Sequence, residues 1–216
     1  MLKTLKFNNI SPDKVFFSGC LHIFHKREFI WKDRGYESIA AHTNGVLDTI
    51  NQAVGPDDVL FLLGDTFLNI PSEIHCMNFL NQIICQNVYI LLGNHNAGIA
   101  KLAQGKWGDG GREFYPVKLT DGKYLYGHYI EAEIDKKHCV LSHFPHYIWN
   151  KSHHGSYNIH SHCHGSFPLS LPDDTSARRL DVGWDVFKKP VSFTEIRNIM
   201  NKKETQILDH HNSTTT

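Results

Sequence analysis

With 216 residues and 22 Lys+Arg against 22 Asp+Glu, the chain has room for one domain with a substantial core, and it carries no net charge that would draw it to nucleic acid or an anionic membrane. No apolar run reaches the length of a membrane span, and Met1-Leu2-Lys3-Thr4-Leu5-Lys6 is not followed by the apolar core of a signal peptide, so a cytoplasmic protein with no membrane partner is expected. Five cysteines (Cys20, Cys76, Cys85, Cys139, Cys163), odd in number and without a CxxC pair, argue for a reducing compartment, while 16 histidines raise the expectation of metal binding.

Leu2 to Phe7 reads as a short edge strand and Val15 to Ser18 as the first core strand. Glu37 to Val54 has helical period, with Ile39, Val46, Leu47, Ile50 and Val54 on one stripe and Gly55-Pro56 as its stop. Asp58 to Leu63 is a second core strand. Pro71-Ser72-Glu73 opens a helix to about Ile84, with Ile74, Met77, Leu80, Ile83 and Ile84 as its predicted buried face. Val88 to Leu92 is the third strand. This strand–helix order predicts an α/β fold with right-handed crossovers, parallel neighbours and all three strand ends on one edge.

Beyond a loop containing Gly105, Gly108, Gly110 and Gly111, the pattern changes. Phe114 to Leu119, Lys123 to Tyr129, His138 to Ser142 and Tyr157 to His160 read as strands joined by short turns, Asp121-Gly122 among them, and predict a more antiparallel half. Arg178 to Val182 is a last strand. Ser192 stands three residues before Glu195, the spacing of a capping box that opens a final helix to Lys202. The tail from about Asp209 is polar, and no linker splits the single domain 1–216.

The same device recurs along the chain: a strand ends and a metal-capable side chain follows. Val15-Phe16-Phe17-Ser18 leads to Cys20 and His22, and Val59 to Leu63 leads to Gly64-Asp65. Val88 to Leu92 leads to Gly93-Asn94-His95, Val140-Leu141-Ser142 to His143, and Tyr157 to Ile159 to His160, His162 and His164. The carboxyl ends of strands in an α/β sheet form the mouth where ligands bind. Cys20, His22, Asp65, Asn94, His143, His162 and His164 offer a thiolate, a carboxylate, an amide oxygen and four imidazoles. That mixture suits manganese, iron, zinc or nickel better than magnesium or calcium. Seven donors exceed one tetrahedral site and suit two ions bridged by Asp65, a pair that can activate hydroxide and clamp a phosphoryl group from roughly 3.5–4 Å apart.

Gly64-Asp65, Gly93-Asn94-His95, Ser142-His143-Phe144-Pro145 and His160 to Gly165 resemble, in order, the motifs of calcineurin-like metallophosphoesterases. Ser18 to His25 and Asp181-Val182-Gly183-Trp184-Asp185 with Pro190 narrow the resemblance to the small bacterial and phage members, over about Val15 to Met200. The resemblance implies a two-sheet β-sandwich flanked by helices. It implies one divalent ion, manganese first, at Cys20, His22, Asp65 and His164, and a second at Asp65, Asn94, His143 and His162. His95 would act as general acid, and a phosphodiester or nucleotide would be hydrolysed by in-line attack of metal-bound hydroxide. A small DNA or RNA nuclease and a non-catalytic interaction module on a degenerate site are the rival readings; a phage origin would place the protein in the host cytoplasm.

Three positions depart from the family pattern. Cys20 replaces an Asp, and is either a soft ligand or a small buried residue beside a weakened site. Asn96 replaces an acidic residue after His95 and cannot favour imidazolium there. Ser161 replaces a Gly, a change expected to be harmless. His25, Arg27 and Arg112 are candidate substrate contacts, against a solvated loop residue for His25 and surface ion pairs for Arg27 and Arg112; Arg34 is read as a surface ion pair, and Trp149 as either a stacking surface or core.

Overall fold

A computed structural model describes residues 4–95, 97–102 and 116–207. Leu5–Phe7 (β1) is a short edge strand, and the first sheet grows from the three apolar runs that follow. Val15–Ser18 (β2), Val59–Leu63 (β3) and Asn87–Leu91 (β4) lie side by side in parallel, with Ser18 opposite Leu62 and Leu63 opposite Leu91. Every residue of β3 is buried, which is why that run shows no alternation: it is covered on both faces. Glu28–Asp33 (α1) and Ile39–Ala53 (α2) connect β2 to β3, and Glu73–Gln82 (α3) connects β3 to β4. The hydroxyl of Ser38 caps α2 by accepting the Ala41 amide at 3.1 Å.

Ala97–Leu102 (α4) follows β4. Val117–Thr120 (β5) and Lys123–Leu125 (β6) form a hairpin whose turn places Gly122 at φ 69°, and β6 pairs parallel with β4. The chain then changes sheet. Tyr129–Ile134 (β7), Lys137–Ser142 (β8), Tyr157–His160 (β9) and Arg179–Asp181 (β10) build a second sheet in the order β1-β7-β8-β9-β10. Trp184–Phe187 (α5) leads to Val191–Ser192 (β11), which completes the first sheet as β11-β2-β3-β4-β6-β5. Phe193–Met200 (α6) ends the described elements, with the expected capping box between Ser192 and Glu195.

The architecture is thus α/β, two mixed sheets packed face to face with helices against them. Phe17 and Phe61 of the first sheet meet Phe7, Ile130, Leu141, Ile159 and Leu180 of the second in the core between the sheets, and α6 adds Phe193, Ile196 and Met200. Phe17 and Phe61 stack at 5.1 Å, so truncating either to Ala is expected to cost about 3–5 kcal/mol. On the outer face of the first sheet, Leu60, Leu62, Val88 and Ile90 pack with Val46 and Ile50 of α2 and Phe79 and Leu80 of α3.

Several expectations need correction. The buried face of α3 is Cys76, Phe79 and Leu80, continued by Ile83, whereas Ile74 is 68% exposed and Ile84 45%. Leu80, Ile83 and the partly buried Met77 of the predicted stripe do pack inward, and only Ile74 and Ile84 at its two ends fall outside. The run from Lys123 to Tyr129 is two strands in different sheets, separated at Tyr126-Gly127-His128. The second sheet is mixed: β7–β8 is antiparallel, but β1–β7, β8–β9 and β9–β10 are parallel. α1, α4 and α5 are too short to announce themselves by periodicity. The glycine-rich loop, Asn96, Arg112 and the tail lie outside the described residues.

Candidate metal centre

The carboxyl ends of β2, β3, β4, β8 and β9 converge on one edge of the sandwich, where Cys20, His22, Asp65, Asn94, His143, His162 and His164 are carried just beyond them. Turning a side chain back across the mouth requires unusual backbone. Of eleven non-glycine residues with positive φ among the described residues, five are in this set: Cys20 (51°), His22 (52°), Asp65 (47°), His162 (72°) and His164 (50°). Each left-handed residue costs on the order of 1–2 kcal/mol, so strain concentrated here marks a geometry that folding alone does not favour. Two glycines leave room for it. A Cβ on Gly64 (φ 84°) would strike the His143 ring, and one on Gly93 would strike the Asp65 carboxylate.

The first cluster is Cys20, His22 and His164, whose donor atoms lie within 4.8 Å of one another. The Nε2 atoms of His22 and His164 face each other at 3.2 Å. Nδ1 of His164 abuts the Asp185 carboxylate, which can only accept; Nδ1 therefore carries the proton and Nε2 is a lone pair. His22 is held neutral, its pKa pushed down to about 3 by burial and then by the neighbouring His164 and Arg34. Its Nδ1 is buried without a hydrogen-bond partner. Burial drives the Cys20 thiol far above its usual range, and its Sγ accepts the His162 amide at 3.1 Å.

The second cluster is built around His143. Its Nδ1 lies 3.0 Å from the Leu63 carbonyl and 3.0 Å from Ser161 Oγ, which itself donates to that carbonyl, so Nδ1 is the protonated nitrogen. The lone pair on Nε2 then faces Asn94 Oδ1 at 2.9 Å, His162 Nδ1 at 3.2 Å and Asp65 Oδ2 at 3.3 Å. Asp65 also groups with Cys20 and His143, placing it between the two clusters. Burial raises its carboxyl pKa, but the adjacent His143 and the hydrogen bond from the His95 amide (2.9 Å) outweigh it and the net shift is downward.

These donor sets fit divalent cations. In each cluster, atoms that accept hydrogen bonds are turned toward one another, and a proton can serve only one such pair at a time. A cation would satisfy them together and would stabilise the Cys20 thiolate that burial otherwise disfavours. A soft thiolate with imidazoles suits zinc or iron, and imidazole with carboxylate and amide oxygen suits manganese equally well.

Around the clusters, the expected contact residues take up distinct places. His95 is exposed at the mouth, its ring 6.3 Å from that of His22. His25 is buried, not a solvated loop residue; its Nδ1 accepts the Arg27 amide at 3.0 Å, which leaves the proton on Nε2. His22, His25, Arg27 and His95 line one cavity of about 420 Å³. Trp149 packs with Val140 and Ala177 as core.

Arg34 is a correction. Its side chain is only 4% exposed, and it holds the Asp185 carboxylate bidentately (2.7 and 2.8 Å) while donating to the carbonyls of Cys20 and Leu21, each at 2.8 Å. Arg34 and Asp185 thus fasten the Cys20–His22 turn and orient His164, a role hidden by their separation of 151 residues. Ser161, far from incidental, ties His143 to the end of β3. A further group, His160, Cys163 and Asp181, lies under the His162–His164 loop. Its polar atoms are engaged in holding that loop: Asp181 accepts the amides of Gly165 and Gly183, and His160 meets the Ser161 carbonyl and Ser170 Oγ.

No family model matches the chain. It is similar to the Gene 66 protein of Mycobacterium phage L5, with 25% identity over 204 residues, covering 87% of this chain and 94% of that protein. Its fold is similar to the crystal structure of a protein of unknown function from Aquifex aeolicus, with a TM-score of 0.58 at 17% identity, covering 86% of this chain and 98% of that one. Among the described residues no helix is long and apolar enough to cross a membrane, and all five cysteines are free.

Proposed function

We propose that the protein is a metal-dependent phosphoesterase of the calcineurin-like type, acting on a phosphodiester or a nucleotide. The observation that carries this reading is the convergence of acceptor atoms in two adjacent clusters, with Asp65 grouped with Cys20 of one and His143 of the other, at the mouth where five strands end. One ion would be held by Cys20, His22, Asp65 and His164, the other by Asp65, Asn94, His143 and His162. Divalent ions there would supply Lewis acidity, making water nucleophilic at neutral pH and withdrawing charge from phosphoryl oxygens.

The chain's own groups do the rest. The His95 amide fixes one oxygen of Asp65, while its imidazole, at the exposed mouth, would donate a proton to the leaving oxygen. His25 would donate from Nε2 to a phosphoryl oxygen, its other nitrogen being pinned by the Arg27 amide. Arg27 presents a fork of donors suited to phosphate. The proposed location is a reducing cytoplasm, consistent with five free cysteines.

Hydrolysis of bis(4-nitrophenyl) phosphate with manganese, zinc or ferrous iron, against a chelator control, tests the reading. Metal-dependent turnover that disappears in Asp65→Ala, with the fold intact by circular dichroism, is the expected result. Metal-dependent turnover retained by Asp65→Ala contradicts the assignment, and no turnover with any of the three ions favours a binding module on the same site.

A further inference from the structure

The cavity beside the first cluster is graded in polarity. His22 and His164 line its floor, with His95 beside them; Phe29 and Leu68 supply an apolar wall, and Asn69 lies exposed at the rim. Phe29, on α1, is 54% exposed and presents its ring to this cavity. It is also held: the buried His25 ring meets it edge-on at 5.6 Å and 70°, and His25 is fixed in turn by the Arg27 amide. Phe29 lines a second cavity as well, of about 460 Å³, with Arg34, His164 and Asp185, so its ring is a partition beside the first cluster and not a stray surface group.

We infer that this cavity is a nucleobase subsite, with Phe29 as its stacking surface, and that the substrate is a nucleoside phosphate. The inference rests on the phosphoesterase reading for the phosphate end only. A ligand that fills the cavity needs an anionic group for an ion held at His22 and His164 and, for Phe29, a flat apolar face whose edge carries donors and acceptors. A nucleobase has that face and that edge, and the exposed Asn69 amide offers one donor and one acceptor to meet it. A sugar phosphate leaves Phe29 uncovered. An acyl chain finds no closed apolar tunnel, because Arg27, His25 and Asn69 interrupt the wall. A volume of about 420 Å³ also lies in the ordinary range for small-molecule sites.

The test is equilibrium binding by calorimetry in manganese buffer, comparing adenosine 5′-monophosphate with ribose 5-phosphate. The wild type should bind the nucleotide about tenfold or more tightly than the sugar phosphate, the range of a single base stacked on an aromatic ring. In Phe29→Ala that ratio should collapse toward one, and in Phe29→Trp it should persist; Phe29 is exposed, so both variants should fold. A wild-type ratio near one, no binding of either ligand, or a ratio unchanged in Phe29→Ala overturns the subsite.

A second arm separates this inference from the hydrolase reading. Thymidine 5′-(4-nitrophenyl phosphate) and methyl 4-nitrophenyl phosphate differ only in the nucleoside. Turnover of neither ester, alongside a Phe29-dependent nucleotide preference in binding, leaves the subsite standing and removes the phosphoesterase. Equal kcat/KM for both, with no binding preference, does the reverse.

Discussion

The two halves of the centre offer similar donors but are backed by different chemistry. Behind His164 stands a charged chain: Asp185 accepts a hydrogen bond from its protonated Nδ1, and Arg34 grips Asp185 while holding the Cys20 and Leu21 carbonyls. Behind His143 stand neutral groups, the Leu63 carbonyl and the Ser161 hydroxyl. A carboxylate partner makes an imidazole a stronger donor; a carbonyl chiefly fixes its tautomer and direction. If the two halves hold ions as proposed, the first should hold its ion more tightly, and the second should chiefly aim its ligands. Stability and metal affinity should respond unequally when the two supports are cut.

The largest effect should come from cutting the charged support. Arg34→Ala leaves the partly buried Asp185 without its main partner and frees two carbonyls of the Cys20–His22 turn, so a loss of about 3–5 kcal/mol in unfolding free energy is expected by denaturant titration. Asp185→Asn keeps the shape and removes the charge. It should weaken the first ion about 10–100-fold while leaving the second unchanged, as read by competition with a chromogenic chelator. An equal loss at both ions would erase the distinction between the halves.

The same support carries a pH signature. His42 is buried, its Nε2 accepts Arg34 Nη1 at 3.1 Å, and Asp185 lies beyond that guanidinium. Burial, then the positive charge of Arg34, pushes the His42 pKa down to about 4. The unfolded chain binds this proton more readily than the folded one. The contribution of neutral His42 is therefore complete above pH about 6.5 and falls away as pH drops toward 4, by on the order of 2–3 kcal/mol. His42→Gln preserves an acceptor but not the titration, and should flatten the loss of stability between pH 7 and 4. Identical slopes in wild type and variant would remove His42 from the account.

Cys20 is where the first half differs most from a site built on carboxylates. Cys20→Asp exchanges a soft donor for a hard one, and should shift the first position from zinc toward manganese by about tenfold in relative affinity. The cobalt-loaded wild type should show a sulfur-to-metal charge-transfer band that the variant lacks. A wild-type spectrum without that band would mean that Cys20 is only a small buried residue.

The gathering of these side chains at one edge was legible in the sequence because each follows a strand by one to four residues, and strand ends in an α/β sheet share an edge; Gly64-Asp65 and Gly93-Asn94 needed nothing more. The supports were not legible. Arg34 and Asp185 are 151 residues apart, and no periodicity connects a six-residue helix to a four-residue one. The change of sheet at Gly127 was hidden because Lys123 to Tyr129 remains strand-like throughout, and local composition does not say which neighbour a strand will find. On α3, the helical period placed Leu80 and Ile83 correctly in the core, but Ile74 and Ile84 at its ends fall outside it, and Cys76 and Phe79 take buried positions the period did not pick out.

The smallest predicted effect is the one that composition would have dismissed. Ser161 is fully buried between the halves: Gly19 runs so close beneath it that a Cβ there would lie 2.6 Å from Ser161 Cβ. Its hydroxyl donates to the Leu63 carbonyl and stands 3.0 Å from His143 Nδ1. Ser161→Gly removes that hydroxyl and loosens the backbone just before His162, which should cost about 1 kcal/mol of stability. It should not unseat His143, because the Leu63 carbonyl remains to accept the Nδ1 proton. The expected outcome is a modest fall in melting temperature with affinity for both ions nearly intact, in contrast to Asp185→Asn. A large, selective loss of the second ion in Ser161→Gly would instead show that the neutral support holds its metal as firmly as the charged one.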